Sequence, residues 1–320
     1  MKHQRTWGAA IALLLAVSAT SATAADKIRL GKANSNGWTF IPADIGMSEG
    51  IFAKYGIELE IAGLAGDAKL QQALIANALD IALGSGPSMA FVAKGAPVTT
   101  VAAYAGEPRQ IAIIVLPDSP IHKIADMKGK TLGISTVGSL TEWLGGQMGV
   151  QEGWGKDGVK TLPLGDNDAN LAALRTHQID GMLAATEVGY QLEEKKIGRN
   201  FMSMEKYAPH FHAHVIFARQ ELAEQKPDVV ERFLKGFFAS IAFMKTHREE
   251  TSKLAAKFLH ESVEIADKTY DHEISMLETD GHFDPKAIEV LKTSFVDMGI
   301  LKEKPRDDQL FTTKFVPVKP

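Results

Sequence analysis

Two small-residue loops and a few isolated polar side chains are the parts of this chain that could do chemistry. The first loop is Gly84-Ser85-Gly86-Pro87. It follows a short apolar run, Asp80 to Leu83, and precedes a helical pattern. Its glycines permit a tight turn and close approach by a ligand, and Pro87 suits the first position of a helix. Ser85 and Gly86 would then offer a hydroxyl and backbone N–H groups at the carboxyl end of a strand, where open α/β sheets bind ligands. The second loop, Thr136-Val137-Gly138-Ser139-Leu140-Thr141, is rich in hydroxyls and enters a helix. Ser139 also reads as an N-cap, with Glu142 three residues on as its partner. Trp38 stands in a loop of Asn34, Ser35, Asn36 and Gly37. A large aromatic among polar neighbours could stack on an organic body or a cation; packing on the first helix is the plainer reading.

Charged groups complicate a purely anionic ligand. Glu187 at a helix start would repel an anion and accept N–H groups from an amine or an amidine-like ring. It reads equally as a helix-terminal glutamate facing water. Glu107 and Arg109 share one loop, and Arg109 could clamp a carboxylate. His210, His212 and His214 alternate, so an extended segment would put all three on one face. They are read as water-facing imidazoles with one, His212, offered to a ligand. A metal site ranks lower because no oriented carboxylate accompanies them.

The elements that must hold these loops follow from pattern. Helix and strand alternate from Lys27 to Ala184, which implies a largely parallel sheet. The strands are expected at 27–33, 56–61, 80–83, 98–104, 110–116, 131–135, 159–164 and 179–184. The chain also repeats itself. Ala73, Leu74, Leu79 and Asp80 recur as Ala173, Leu174, Ile179 and Asp180, a constant offset of one hundred. A period this long exceeds any solenoid repeat and points to two similar α/β lobes whose loops face each other across a cleft. Pro227 opens an amphipathic helix with Val230, Phe233, Leu234, Phe237, Phe238 and Ile241 on its buried side.

Composition bounds the function. The chain has 320 residues, a formal charge of −4, 45% hydrophobic and 23% charged residues. That is room for two domains of ordinary globular composition, without the basic clusters of a nucleic-acid binder. There is no cysteine, hence no disulfide, lipid-anchor cysteine or thiol chemistry. No phosphate P-loop, zinc-protease helix or Ser-His-Asp spacing is present. Residues 1–24 read as a cleavable export signal: Lys2, His3 and Arg5, an apolar stretch from Ala9 to Val17, then Ala22-Thr23-Ala24. The product is expected to be periplasmic, with no direct membrane insertion.

Three stretches then carry a resemblance: Ser48 to Leu59, Leu70 to Pro87, and Lys128-Gly129-Lys130-Thr131-Leu132-Gly133-Ile134. With Phe233 to Phe243 and Phe295 to Ile300, their order resembles the solute-binding proteins of ABC importers for sulfonates, taurine, nitrate and pyrimidine precursors of thiamine. The resemblance implies a type II periplasmic-binding fold with the ligand cleft between its lobes. Lobe one would be 25–109 plus 216–320 and lobe two 110–215. It implies a monomer without cofactor, closing on a small polar solute and docking on a membrane permease. Asn36, Trp38, Ser85, Gly86, Glu107, Arg109, Thr136, Gly138, Ser139, Thr141, Glu187 and His212 form the expected ligand set, with no catalytic residue. The rival readings are a pyrimidine- or cofactor-forming enzyme on the same fold and a co-receptor of a membrane sensor kinase.

Overall fold

The computed structural model describes residues 25–35 and 37–319. The export segment and Asn36 lie outside the described residues. Ten strands form two five-stranded sheets. They are β1 (Asp26–Lys32), β2 (Ile57–Gly63), β3 (Ile81–Ser85), β4 (Val98–Ala105), β5 (Ile111–Val115), β6 (Thr131–Ile134), β7 (Lys160–Pro163), β8 (Gly181–Ala185), β9 (Arg199–Ser203) and β10 (His214–Arg219). The orders are β2-β1-β3-β10-β4 and β7-β6-β8-β5-β9. In the first sheet β1 runs parallel to β2 and β3, while β10 is antiparallel to β3 and β4. The second sheet repeats this plan: β6 is parallel to β7 and β8, and β5 is antiparallel to β8 and β9. The chain changes sheet between Ala105 and Ile111 and returns between Ser203 and His214.

The repeat read in the sequence has a physical basis. Asp80 accepts the N–H of Arg29 at 3.0 Å, and Asp180 accepts that of Thr131 at 2.9 Å. Each carboxylate thus pins the central parallel strand of its sheet, β1 or β6, to the entry of the next parallel strand beside it, β3 or β8. Gly31 and Gly133 hold matching places in β1 and β6. A Cβ on Gly31 would fall 2.6 Å from Leu70 and 2.4 Å from Leu79; one on Gly133 would fall 2.2 Å from Asn170 and 2.6 Å from Ile179. Leu70/Asn170 and Leu79/Ile179 keep the offset of one hundred, so the bare strand is what lets each helix seat flush.

Pattern reading misses two strands, β9 and the returning β10; β9 gives the weaker signal. Its five residues are all half-buried, on the edge of the sheet beside β5, and show no in–out alternation. The Pro227–Thr246 helix buries Val230, Phe233, Leu234, Phe237, Phe238 and Ile241 as its pattern requires. Phe52 stacks on Phe233 and Tyr104 meets Phe237 edge-on, which ties this helix to the first sheet.

Candidate functional site

Six parallel strands, three from each sheet, point their carboxyl ends at one cavity of about 280 Å³. Ala33 after β1, Gly63 ending β2 and Ser85 ending β3 reach it from one side. Ser135 after β6, Gly165 after β7 and Ala185 ending β8 reach it from the other. Strand ends leave backbone groups and helix starts unoccupied by sheet pairing, and this is the position open α/β sheets use for ligands. Gln110 and His214, from the two sheet-changing segments, complete the lining, and Phe40 supplies its aromatic surface.

Of the residues expected from sequence, Ser85 and Thr141 line this cavity. Ser85 is buried; its N–H donates to Asp67 Oδ1 at 2.8 Å and its hydroxyl lies 3.2 Å from that of Ser88. The Ser85 amide is therefore already satisfied by a carboxylate, and the side chain is what remains for a ligand. Thr141 Oγ1 accepts the Ser135 N–H at 3.1 Å and sits 2.9 Å from Ser139 Oγ. Ser139 caps the Leu140–Gln151 helix, taking the Glu142 N–H at 3.4 Å, while the Glu142 carboxylate takes the Gly138 N–H at 2.7 Å. Ser139 and Gly138 are thus used in shaping the loop and do not line the cavity. Thr136 reaches across to the other lobe, where its hydroxyl accepts the Ala68 N–H at 3.5 Å. Gly66 opposite it has φ 102°, and a Cβ there would meet Thr136 Cγ2 at 2.5 Å, so this crossing requires glycine.

The remaining expected residues lie elsewhere. Trp38 is wholly buried and meets Tyr270 edge-on at 6.1 Å; its neighbours Gly37, Thr39 and Phe40 face the cavity instead. Gly86 donates its N–H to Ala213 O at 3.0 Å and lies so close to the His212 carbonyl that a Cβ would approach within 2.1 Å. It joins β3 to the returning segment. Glu107 accepts the His210 N–H at 3.1 Å and so staples the two sheet-changing segments together. Arg109 pairs with Glu205 at 3.3 Å on a partly exposed surface, away from the cavity. Glu187 is fully buried between the lobes, accepting the Trp38 N–H at 2.7 Å.

The histidines separate. His210 takes a left-handed φ of 52°, which breaks the alternation that would align the triplet. His212 Nε2 accepts the Asp284 N–H at 2.9 Å, and burial pulls its pKa down to about 4. His214 lines the cavity; the Gln110 amide donates to its Nε2 at 2.9 Å, and burial pulls it down to about 3, against a hydrogen bond with Gly84. Both rings are neutral at physiological pH. Among the described residues, no three His, Cys, Asp or Glu side chains are placed to hold a metal ion.

Electrostatically the cavity is one-sided. Asp67, Asp166 and Asp168 line it, and among the described residues no lysine or arginine does. Burial pushes the Asp67 carboxyl up, opposed by its bonds to Ser85 and Ser88. Asp166 caps the Asn167–Arg175 helix, accepting the Ala169 N–H at 2.9 Å. Pattern reading overlooked Asp67, Gln110, Phe40 and the 165–168 loop. The last carried a legible signal: Gly165-Asp166-Asn167-Asp168 follows an expected strand and opens a helix, as Ser85 does.

Known proteins place this architecture. A putative thiamine biosynthesis protein of Haemophilus influenzae is 23% identical over 218 residues, which cover 64% of this chain and 65% of that one, just under two thirds of its length. A putative aliphatic sulfonates-binding protein of Bacillus subtilis is 26% identical over 233 residues, covering 71% of this chain and 68% of that one. The solved alkanesulfonate-binding protein SsuA of Xanthomonas axonopodis pv. citri, bound to MOPS, superposes with a TM-score of 0.74 at 15% identity, covering 91% of this chain and 96% of that one. At that identity the likeness is one of fold, the two-lobe fold of periplasmic binding proteins. Residues 39–251 match the family described as NMT1/THI5 like, and the chain belongs to that family.

Proposed function

We propose that the protein is the solute-binding component of an ABC importer, exported to the periplasm, that captures one small solute between its lobes and presents it to a membrane permease. The reading divides the chain into lobe one, 25–109 plus 216–320, and lobe two, 110–215. Strand ends from both lobes at one cavity support capture by both at once, which is what couples a ligand to lobe closure: a ligand favours the closed form only as far as it binds that form better. No helix among the described residues is long and apolar enough to cross a membrane. To the enzyme reading the chain offers no cysteine nucleophile, and the histidine in the cavity has its Nε2 engaged by Gln110.

The observation that carries the ligand class is a lining that, among the described residues, holds three carboxylates and no cation. A sulfonate or nitrate would enter a site with no positive side chain to meet it and with acidic groups to repel it. A neutral or cationic nitrogenous solute would place N–H donors on Asp166, Asp168 and the Ser85 and Thr141 hydroxyls, and lay an apolar face on Phe40. A cavity of this size suits a compact molecule.

Thermal unfolding against a panel of aminopyrimidines, amidines, polyamines, taurine, alkanesulfonates and nitrate tests this. A ligand at a hundred times its dissociation constant adds about 2.7 kcal/mol. Saturable stabilisation by a nitrogenous class alone is expected; stabilisation by alkanesulfonates or nitrate instead would overturn the ligand class.

A further inference from the structure

The seam between the Thr186–Glu194 helix of one lobe and the Val263–Glu273 helix of the other holds three carboxylates that the cavity does not use. Glu187 and Glu273 are fully buried and Glu261 is largely so. Each accepts a single hydrogen bond from the opposite lobe. Trp38 N–H meets Glu187 Oε1 at 2.7 Å, the Thr186 hydroxyl donates to Glu273 Oε1, and the Gln191 amide donates to Glu261 Oε2 at 3.0 Å. The second oxygens, Glu187 Oε2, Glu273 Oε2 and Glu261 Oε1, are buried without a partner among the described residues.

Among the described residues, no lysine, arginine or histidine pairs with them. Lys268, on the same seam, lies 3.8 Å from Glu193 and 4.0 Å over the Tyr190 ring, at the exposed edge. Arg248 is engaged by Asp267 and Asp271 on the outer face. His272 turns toward the sheet-changing segment, donating to Arg109 O at 3.1 Å. Tyr190 faces Glu187, Glu193 and Glu273, which together raise its pKa beyond the effect of burial. Ionised carboxylates buried without a counter-charge cost far more than protonated ones.

We propose that this seam is a proton-linked latch: engaging the lobes buries Glu187, Glu273 and Glu261 together and takes up protons, so engagement loosens as the pH rises. It rests on the receptor reading, in which the lobes part and re-engage. Burial raises all three above the ordinary glutamate value, Glu261 to about 7; Glu261 raises Glu187 further, and Glu187 and Glu261 raise Glu273 further. When the lobes part, water returns the carboxyls toward their ordinary range. Between that range and the raised values the engaged form holds protons that the parted form has released. Each pH unit in this window therefore weakens engagement, by up to about tenfold per proton.

The chain has no cysteine, so single cysteines at the exposed Ile75 and Val150, one on each lobe, can carry a fluorescent donor–acceptor pair. Energy transfer in the ligand-free protein is followed from about pH 5.5 to 8.5. The engaged population of the otherwise unaltered chain is expected to fall as the pH rises, and the Glu187→Gln/Glu273→Gln variant to show a shallower slope. The unaltered chain decides the matter even if that variant does not fold, and the single Glu261→Gln variant offers a milder second test. Lobes that part to the same degree at every pH would overturn the latch and leave the receptor reading standing. Lobes that never part, at any pH or with any solute of the panel, would overturn both.

Discussion

Replacing Asp80 with alanine removes an acceptor shared by three segments of lobe one. Its Oδ2 takes the Arg29 N–H at 3.0 Å and Nε at 2.9 Å; its Oδ1 takes an Nη of Arg29 at 2.7 Å and of Arg219 at 3.0 Å. The carboxylate thus ties β1 and β10 to the entry of β3. Removing one partner of a buried ion pair costs about 3–5 kcal/mol, because the other charge is stranded. Arg219 is 17% exposed, but Arg29 is 38% exposed and recovers water, which places the expected loss near the lower bound, about 3 kcal/mol. The counterpart Asp180 takes the Thr131 N–H at 2.9 Å and Lys130 Nζ at 3.0 Å, with both side chains about a third exposed. Asp180→Ala should cost only about 1 kcal/mol. Urea unfolding of both variants, followed by circular dichroism, measures the difference. Burial would raise the Asp80 carboxyl, but the Arg29 and Arg219 bonds outweigh it and hold it at about 2. A depressed carboxylate contributes stability above its unfolded value and loses it as the pH falls through the folded one. The gap between the unaltered chain and Asp80→Ala should therefore narrow between about pH 4 and 2. Equal losses in the two variants, or a larger loss at Asp180, would refute the reasoning.

Trp38→Ala should lower stability by about 3–5 kcal/mol, read as a fall in the thermal midpoint, since the indole is a core side chain. Gly86→Ala sets a methyl against the His212 carbonyl and should destabilise by more than about 2 kcal/mol, read from the urea midpoint. His214, held neutral with a pKa near about 3, is protonated in the unfolded chain below about pH 6.5. Stability should thus fall as the pH drops through that value, and His214→Gln should flatten the decline in pH-dependent unfolding.

The fold was legible because its signals are local and repeated. Asp80 and Asp180 recur at one offset since each performs the same clamp, and the apolar runs of β3 and β8 lie wholly buried between strands. The site was less legible, because facing a cavity is decided by neighbours far away in the chain. Ser85 and Thr141 stand at strand and helix ends, which sequence shows. Trp38 stands among polar residues, yet the Tyr270 ring that covers it comes from a helix more than two hundred residues on. Glu187 occupies the loop equivalent to Ser85, but its side chain turns into the lobe seam to meet the Trp38 amide. Alternation predicted one face for the three histidines, and a single left-handed residue, His210, removed it.

The central claim is that one solute is held by both lobes in the cavity. Isothermal titration of the best solute from the panel into the unaltered chain, Ser85→Ala and Thr141→Val tests it most directly. One site per chain is predicted, with affinity lowered roughly three- to tenfold by each substitution, the worth of one hydrogen bond. Unchanged affinity in both variants would contradict the account.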